Sequence, residues 1–502
     1  MRQRFQSSFK ASIYTILQSE VKYYSFNVNT STGLGEYYEF LIFLSGNICT
    51  QPDNVGIDNT SLAVYYSFNS TMFQNNEVGQ MQLFEDGYFQ ALADLPIDPN
   101  TSTTEGTSLA TSGAAASATT IPSSSKSSSG DDEERVLYIA VRAPENTNLT
   151  ATWTYQIGVS QNDLVFQWDN RTFGSIIDAD DRSALLVTEN LTEFGGDWRT
   201  LNASKSQYSL YVYPYKDKDI FEGLSKSWCA IRSGHAMMGP WNIETSFTSR
   251  NGGIQQQFYV PNLEESTQYT GYIVADFSGT SFGGAIYHQI EFETMAGSAC
   301  ELIYDLEFCD RVAYSVPALG NRTDESDAVK NMTKMVYDNY VKSLYQNFSK
   351  ALQQVACDTN PESVYSNVKT CDDCADSYKD WLCAVSIPRC AATNFPGYKA
   401  RNGTNQRNDF ISDMIQPAED YFEILPCANV CHAIVRDCPA DFQFQCPINN
   451  QSIALSYYWD EDTSTQWPSC NYVGKMFTKN SWGLKLGANW ALLSVVLFMQ
   501  VI

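Results

Sequence analysis

The chain has 502 residues, 43% of them hydrophobic, with 57 acidic against 32 basic side chains and a formal net charge of −25. That length allows roughly three domains, and the apolar content suffices for ordinary cores. The acidic balance argues against a nucleic-acid partner, whose phosphates need Lys and Arg. It leaves a solvated surface that attracts cations and basic partners.

Residues 1–25 form a poorly defined N-terminus. Arg2, Arg4 and Lys10 lie there, but no apolar run of about 7–15 residues follows, so no signal peptide is legible and the N-terminus is expected to be incomplete. The run Phe40-Leu41-Ile42-Phe43-Leu44 is too short to serve. Residues 26–295 read as an antiparallel β-sandwich region. Its strand signals include Ser61–Phe68, Met81–Phe84, Val136–Arg142, Thr150–Gly158, Tyr208–Tyr213, Thr270–Ala275 and Ala285–Phe292, the last five rich in β-branched and aromatic residues. Between the second and third lies a Ser/Thr-rich stretch, residues 98–134. It has too little apolar bulk to offset the entropy of ordering, and is expected to be a disordered insertion.

The period then changes. Val329, Met332, Val336, Tyr340, Leu344, Phe348, Leu352 and Val355 recur at steps of three and four, predicting an amphipathic helix over Asp324–Ala356, capped by Thr323 or Asp324. Asn347 falls inside that stripe. Further helix is expected at Ser377–Cys383 and Cys427–Cys438. The extreme C-terminus, within residues 473–502, is an apolar tail too short to span a bilayer comfortably. It fits a GPI-attachment signal or a tail that packs on protein or membrane.

Twelve of the fourteen cysteines crowd into the second half: Cys300, Cys309, Cys357, Cys371, Cys374, Cys383, Cys390, Cys427, Cys431, Cys438, Cys446 and Cys470. An even, clustered set reads as a disulfide framework formed in an oxidising compartment. Cys49 and Cys229 are candidates for one further bridge. Residues 296–472 are therefore expected to form a cysteine-rich helical domain. Within it, Cys427, Cys431 and Cys438 lie on one side of a helix, pinned to their surroundings as a rigid platform for a partner.

Sequons point to the same compartment. Asn-x-Ser/Thr occurs at Asn29, Asn59, Asn69, Asn100, Asn148, Asn170, Asn190, Asn202, Asn321, Asn331, Asn347, Asn402 and Asn450. Together they favour a heavily glycosylated ectodomain.

A search for chemistry yields no catalytic, metal or cofactor site. His235, His288 and His432 are unpaired in sequence, whereas a zinc site of two-cysteine, two-histidine type needs close histidine pairs. Cys371-Asp-Asp-Cys374 has redox spacing, but acidic neighbours disfavour a thiolate and many other cysteines offer structural pairing. The acidic runs Asp178–Asp181, Asp131–Glu134 and Asp460–Asp462 lack the alternating ligands, turn glycine and distal Glu of a calcium loop. No nucleophile elbow, phosphate loop or zinc-protease motif is present.

Several segments together resemble a known family. They are Leu44–Pro52, Val141–Pro144, Trp153–Gly158, Ser227–Ala230, the specific run Tyr378–Cys390, and Cys427-x3-Cys431-x6-Cys438-Pro439. The chain resembles the fungal stretch-activated calcium channel component, the glycoprotein regulatory subunit of the high-affinity calcium influx system. Cys431-x6-Cys438-Pro439, Phe442-Gln443-Phe444 and Cys446-Pro447 are also similar to a Frizzled-type cysteine-rich domain. The resulting expectation is an α+β multidomain chain, a β-sandwich region followed by a helical, disulfide-rich, Frizzled-like domain. The resemblance implies a non-enzymatic auxiliary subunit. It would pass through the endoplasmic reticulum to the extracellular face of the plasma membrane, bind a pore-forming, voltage-gated-like calcium channel subunit, and promote calcium influx. The alternative is a cell-surface glycan- or lipid-binding glycoprotein without a channel role.

Overall fold

The computed structural model describes residues 3–5, 13–28, 41–52, 61–73, 79–94, 136–145, 151–191, 200–202, 206–234, 236–250, 252–277, 283–320, 327–356, 365–366, 368–459 and 467–474. The Ser/Thr-rich stretch, nearly all of the C-terminal tail, Cys357, His235, the acidic runs at 131–134 and 460–462, and the sequons Asn29, Asn59, Asn100, Asn148 and Asn321 lie outside them. The described architecture is β-rich and disulfide-rich, with few helices. It divides into two units.

The first unit comprises Met1–Asp169, Asp219–His235 and Val274–Ile286. One sheet runs in the order Gln3–Phe5, Val21–Asn27, Val136–Arg142, Ala63–Ser67, Gln80–Leu83. A second runs Tyr14–Leu17, Thr152–Ser160, Leu41–Thr50, Tyr88–Asp94. Only the pairing of Gln3–Phe5 with Val21–Asn27 is parallel; the other neighbours in these two sheets are antiparallel. Alternating side chains turn inward, such as Val64 and Tyr66. The sheets meet where Tyr24 Oη lies 2.6 Å from Tyr155 Oη. The apolar run at Phe40–Leu44 feeds the central strand Leu41–Thr50, with Ile42, Leu44 and Ile48 fully buried. The short helix α1, Trp228–Ser233, is capped by Ser227, whose Oγ accepts the Ala230 N–H at 3.1 Å. Trp228 donates from Nε1 to the Ala275 carbonyl at 3.3 Å. Gly284 permits that approach, since a Cβ there would stand 2.1 Å from the same carbonyl oxygen.

The second unit comprises Asn170–Lys218, Ala236–Ile273 and Tyr287–Ile502. An antiparallel sheet orders Gly174–Ala179, Ala184–Thr188, Gly253–Val260 and Glu244–Arg250. One face packs Leu186 and Phe258 against Leu210, Tyr269, Ile273 and Phe292. The other packs Leu185, Val187 and Tyr259 against Leu302 and Ala313. Leu302 belongs to the hairpin Cys300–Ile303/Tyr314–Pro317, whose residues Ile303, Tyr314 and Val316 enter the core of the helical region. The hairpin thus carries hydrophobic packing continuously from sheet to helices.

Four α-helices follow among the described residues: α2 Asp327–Leu352, α3 Cys371–Ser386, α4 Ala428–Asp437 and α5 Asn450–Ser456. A three-stranded sheet, Arg389–Ala391, Tyr421–Ile424 and Lys399–Arg401, lies among them in sequence.

Two local expectations are corrected. Ala285–Phe292 is two strands, Gly284–Tyr287 and Ile290–Glu293, both paired with Gln268–Asp276. The pairs Val274↔Ile286 and Gly271↔Ile290 leave one extra residue on the His288 side, a bulge that breaks the run. The stripe of α2 is also rotated. Thr333, Tyr337, Val341 and Phe348 are buried, whereas Met332 is 55% and Leu344 36% exposed. Polar groups on the inward face find partners: Thr333 Oγ1 donates to buried Glu301 Oε2 at 3.0 Å, and Tyr337 Oη donates to the Pro317 carbonyl at 3.0 Å. An apolar count misses such positions. Asn347 is exposed.

Candidate functional site: a cross-linked, ion-paired platform

The helices of the second unit begin with local capping. Thr370 Oγ1 accepts the Asp373 N–H at 3.1 Å and Asp373 Oδ2 accepts the Thr370 N–H at 2.8 Å, a capping box that starts α3. Asp372 and Asp373 stand in its first turn, where the helix dipole favours negative charge.

Cross-links then fix the helices. Cys374 of α3 is bonded to Cys438, Cys383 of α3 to Cys309, and Cys390 to Cys300. Along α4, Cys427 at the N-cap joins Cys470, Cys431 joins Cys446, and Cys438 at the C-cap joins Cys374. One short helix is therefore held to three separate segments. Cys371 is also disulfide-bonded. Because Cys374 is committed to Cys438, Cys371 and Cys374 do not close on each other as a redox pair. In the first unit Cys49 is bonded to Cys229, tying α1 to the strand Leu41–Thr50.

Buried ion pairs reinforce this frame, and the sequence reading missed them. Glu423 is fully buried; Arg401 Nε donates to it at 2.6 Å and Arg407 Nη1 at 2.7 Å. Arg407 also donates to the carbonyls of Val385 and Ser456, at the ends of α3 and α5. The legible signal was a lone acid inside the apolar strand Tyr421-Phe422-Glu423-Ile424.

The acidic run Asp178–Asp181 is likewise internal. Arg389 Nε donates to Asp178 Oδ2 at 2.9 Å, and burial pushes the Asp178 carboxyl upward against the pull of Arg389. Asp180 accepts the Leu302 N–H at 2.9 Å and pairs with Lys330 at 3.3 Å. Burial opposes the Lys330 ammonium, but Asp180 and Tyr259 outweigh it and raise its pKa. These carboxylates serve protein donors and join sheet to helix. Asp380, paired with Arg311 at 2.5 Å, is pushed up to about 6 by burial, with Arg311 opposing.

At the C-terminus of α4, Asp437 accepts two hydrogen bonds from Arg436, at 2.6 Å each, one from Ser377 Oγ at 2.6 Å, and pairs with Lys369 at 3.0 Å. The Arg436 hydrogen bonds and these other donors hold its carboxyl far below the usual carboxylate range. A depressed acid contributes stability above its unfolded pKa, near 3.9, and loses it as pH falls toward the folded value. Asp437→Asn is therefore expected to cost about 1.5–3 kcal/mol at pH 7. Its deficit relative to the parent should shrink as pH drops below about 4. Urea unfolding at a series of pH values measures both.

The structure does not bring the sequon asparagines into one site. It leaves Asn69, Asn170, Asn190, Asn202, Asn331, Asn347 and Asn402 all exposed. At Asn402, Oδ1 accepts from Thr404 N and Oγ1, each at 3.0 Å, in a tight turn. Asn450 begins α5. His288 and His432 are exposed, His288 in the link between the strands Gly284–Tyr287 and Ile290–Glu293 and His432 on α4.

A family model described as "Stretch-activated Ca2+-permeable channel component" matches residues 41–476. Among curated proteins, the stretch-activated cation channel MID1 of Saccharomyces cerevisiae is 37% identical over 88% of this chain and 81% of its own length. The stretch-activated cation channel yam8 of Schizosaccharomyces pombe is 31% identical over 69% of this chain and 70% of its own. The MID1 channel of Cryptococcus neoformans is 26% identical over 51% of this chain and 46% of its own. Among solved structures, the glycoside hydrolase domain of Endo-D from Streptococcus pneumoniae R6 matches at 9% identity and a TM-score of 0.19, covering 57% of this chain and 34% of that one. That likeness carries no argument. On the match across most of its length and its identity to the two yeast proteins, this chain belongs to the Mid1 family of stretch-activated Ca2+-permeable channel components.

Proposed function

We propose that this chain is an extracellular regulatory glycoprotein subunit that binds a pore-forming, voltage-gated-like calcium channel subunit and promotes calcium influx under stretch or stress. The observation that carries the reading is one pairing of features in a channel-component family. Its described cysteines are all committed to cross-links, most of them buried, while every sequon asparagine with a described side chain is exposed. That is the chemistry of an ectodomain. Residues 26–295 act as a β-sandwich region and residues 296–472 as a Frizzled-like, cysteine-rich module offering a rigid surface. The protein travels through the endoplasmic reticulum to the plasma membrane, held there by its partner or a C-terminal anchor. Binding energy stabilises the partner's folded or open state, and no catalysis is involved.

Affinity purification of the full-length chain in mild detergent, read by mass spectrometry, is expected to recover a multi-span channel subunit. Deleting the chain is expected to reduce calcium uptake. Recovery of no channel subunit, together with normal uptake after deletion, contradicts the proposal.

A further inference from the structure

In one cluster of the second unit the half-buried apolar residues outnumber the buried ones. Tyr345, Leu352, Tyr378, Phe442 and Phe444 lie half-buried around Phe348 and the Cys374–Cys438 bridge, whereas the neighbouring helical core is mostly buried. The rings form one connected row. Phe348 stacks on Tyr378 with centroids 3.6 Å apart, and Tyr345 links Phe348 to Phe308 at 5.6 and 5.0 Å. Tyr378 reaches Trp381 at 5.4 Å and Phe444 at 5.7 Å, and Phe444 reaches Phe442 at 5.5 Å. Every ring of the row except Phe348 keeps part of its surface in water. On α2, Leu344 beside Tyr345 is 36% exposed, and the segment that carries Phe442 and Phe444 runs on to Ile448, 89% exposed.

The row is held in place. Cys374–Cys438 is buried among the rings, Cys431–Cys446 ties the segment of Phe442 and Phe444 to α4, and Cys309–Cys383 ties the segment of Phe308 to α3. An apolar surface fixed in advance loses little conformational freedom on binding. Aromatic anchors of this kind carry much of the energy of protein interfaces. The sequon at Asn347 does not block the row: at 3.6 residues per turn it points about 100° or more around α2 from Tyr345, Phe348 and Leu352.

The surrounding charge selects the occupant. Asp372 and Asp441 are exposed and have no ionic partner among the described residues. Asp376 is 67% exposed and has only Arg311 at 3.8 Å, itself committed to Asp380. The charges of Asp372 and Asp376 reach Tyr345, and Asp441 directly precedes Phe442. Against them stand Lys342 and Lys379, engaged by Glu307 and Asp310, and Lys350 at the end of α2. The rings therefore sit beside uncompensated negative charge, on a chain whose net charge is −25.

We propose that this aromatic row docks a cationic amphipathic protein segment. Its apolar side chains cover the rings, and its Lys or Arg residues meet Asp372, Asp376 and Asp441. The inference rests on the channel reading above, in which the segment belongs to an extracellular loop of the pore-forming subunit.

The test is co-purification of the full-length chain with its partner in mild detergent, with thermal unfolding of each variant as the control for folding. The double variant Asp372→Lys, Asp441→Lys alters only exposed positions. It is expected to lower recovery of the channel subunit about fivefold or more at an unchanged Tm. Phe442→Ala with Phe444→Ala is expected to lower it likewise. A photo-crosslinking residue at Gln443, exposed between the two rings, is expected to capture a Lys- or Arg-bearing extracellular peptide of that subunit. If the Phe442 and Phe444 variant does not fold, the charge reversal and the cross-link decide. Full recovery with both double variants overturns the docking surface and leaves the channel reading standing. Recovery of no channel subunit by the parent overturns the inference and counts against that reading too. Three further outcomes also overturn the inference: a lipid bound to the parent with no effect of charge reversal, a cross-link to a second copy, and a cross-link to the chain's own C-terminal tail.

Discussion

Replacing Glu423 with Ala is expected to cost about 3–5 kcal/mol of stability, the largest loss of any single carboxylate considered. Glu423 is fully buried in the strand Tyr421–Ile424, hydrogen-bonded on both sides to Arg389–Ala391 and Lys399–Arg401. Its two oxygens face two arginines, themselves mostly buried. Removing the carboxylate strands both positive charges in a poorly hydrated interior, where they cannot recover the water they gave up. Arg407 cannot simply swing out, because the same guanidinium ties the Val385 and Ser456 carbonyls. Glu423→Gln keeps shape and an acceptor but not the charge, and is expected to fall between parent and Ala. Denaturant unfolding of the purified full-length protein reads the effect. A loss under about 1 kcal/mol, the range of a surface ion pair, would mean that water reaches the two arginines.

The second large effect is expected from the Cys309–Cys383 bridge. Its cysteines are 74 residues apart, nearly fully buried, and sit in the core shared by the hairpin Cys300–Ile303/Tyr314–Pro317, α2 and α3. Cross-linking limits the unfolded chain more when the loop is longer, so the double variant Cys309→Ala, Cys383→Ala is expected to lose about 4–5 kcal/mol. The bridge Cys431–Cys446 spans only 15 residues, and its double Ala variant is expected to lose about 3 kcal/mol. The order of the two losses is the discriminating result, measured by urea unfolding without reductant. The reverse order would place the stabilisation in native packing rather than in loop entropy.

Much of the secondary structure was legible in the residues. Val136–Arg142 is a strand with the expected bounds, and Tyr208–Pro214 extends its expected run by one residue. There β-branched and aromatic residues follow one another without a competing turn signal. The run Ala285–Phe292 was equally rich in strand formers, yet it breaks, because a bulge is set by the partner strand and leaves no mark in composition. The helix α2 was legible in existence and misread in orientation. Its inward face carries Thr333 and Tyr337, whose partners Glu301 and Pro317 belong to a hairpin earlier in the chain. The ion-paired frame was legible only as charged residues in apolar surroundings. The exposed sequons needed no tertiary information to be found, only to be placed.

The sequence by itself pointed to the family and to an oxidising compartment. Cysteine number, sequon density, and motifs such as Tyr378–Cys390 are properties of the chain that no fold alters. Local periodicity likewise marked that strands and helices exist, but not where they begin, since α3 starts at Cys371, six residues ahead of the expected Ser377. The tertiary structure alone decided which cysteine meets which, because in the six bridges among the described residues the bonded partners lie 15 to 180 residues apart and their Cα atoms still approach within 6.0 Å. It also decided that Asp178, Asp180 and Glu423 are internal counterions rather than surface charge. A local pattern reports the preference of one segment, whereas burial and pairing depend on which distant segment supplies the opposite wall.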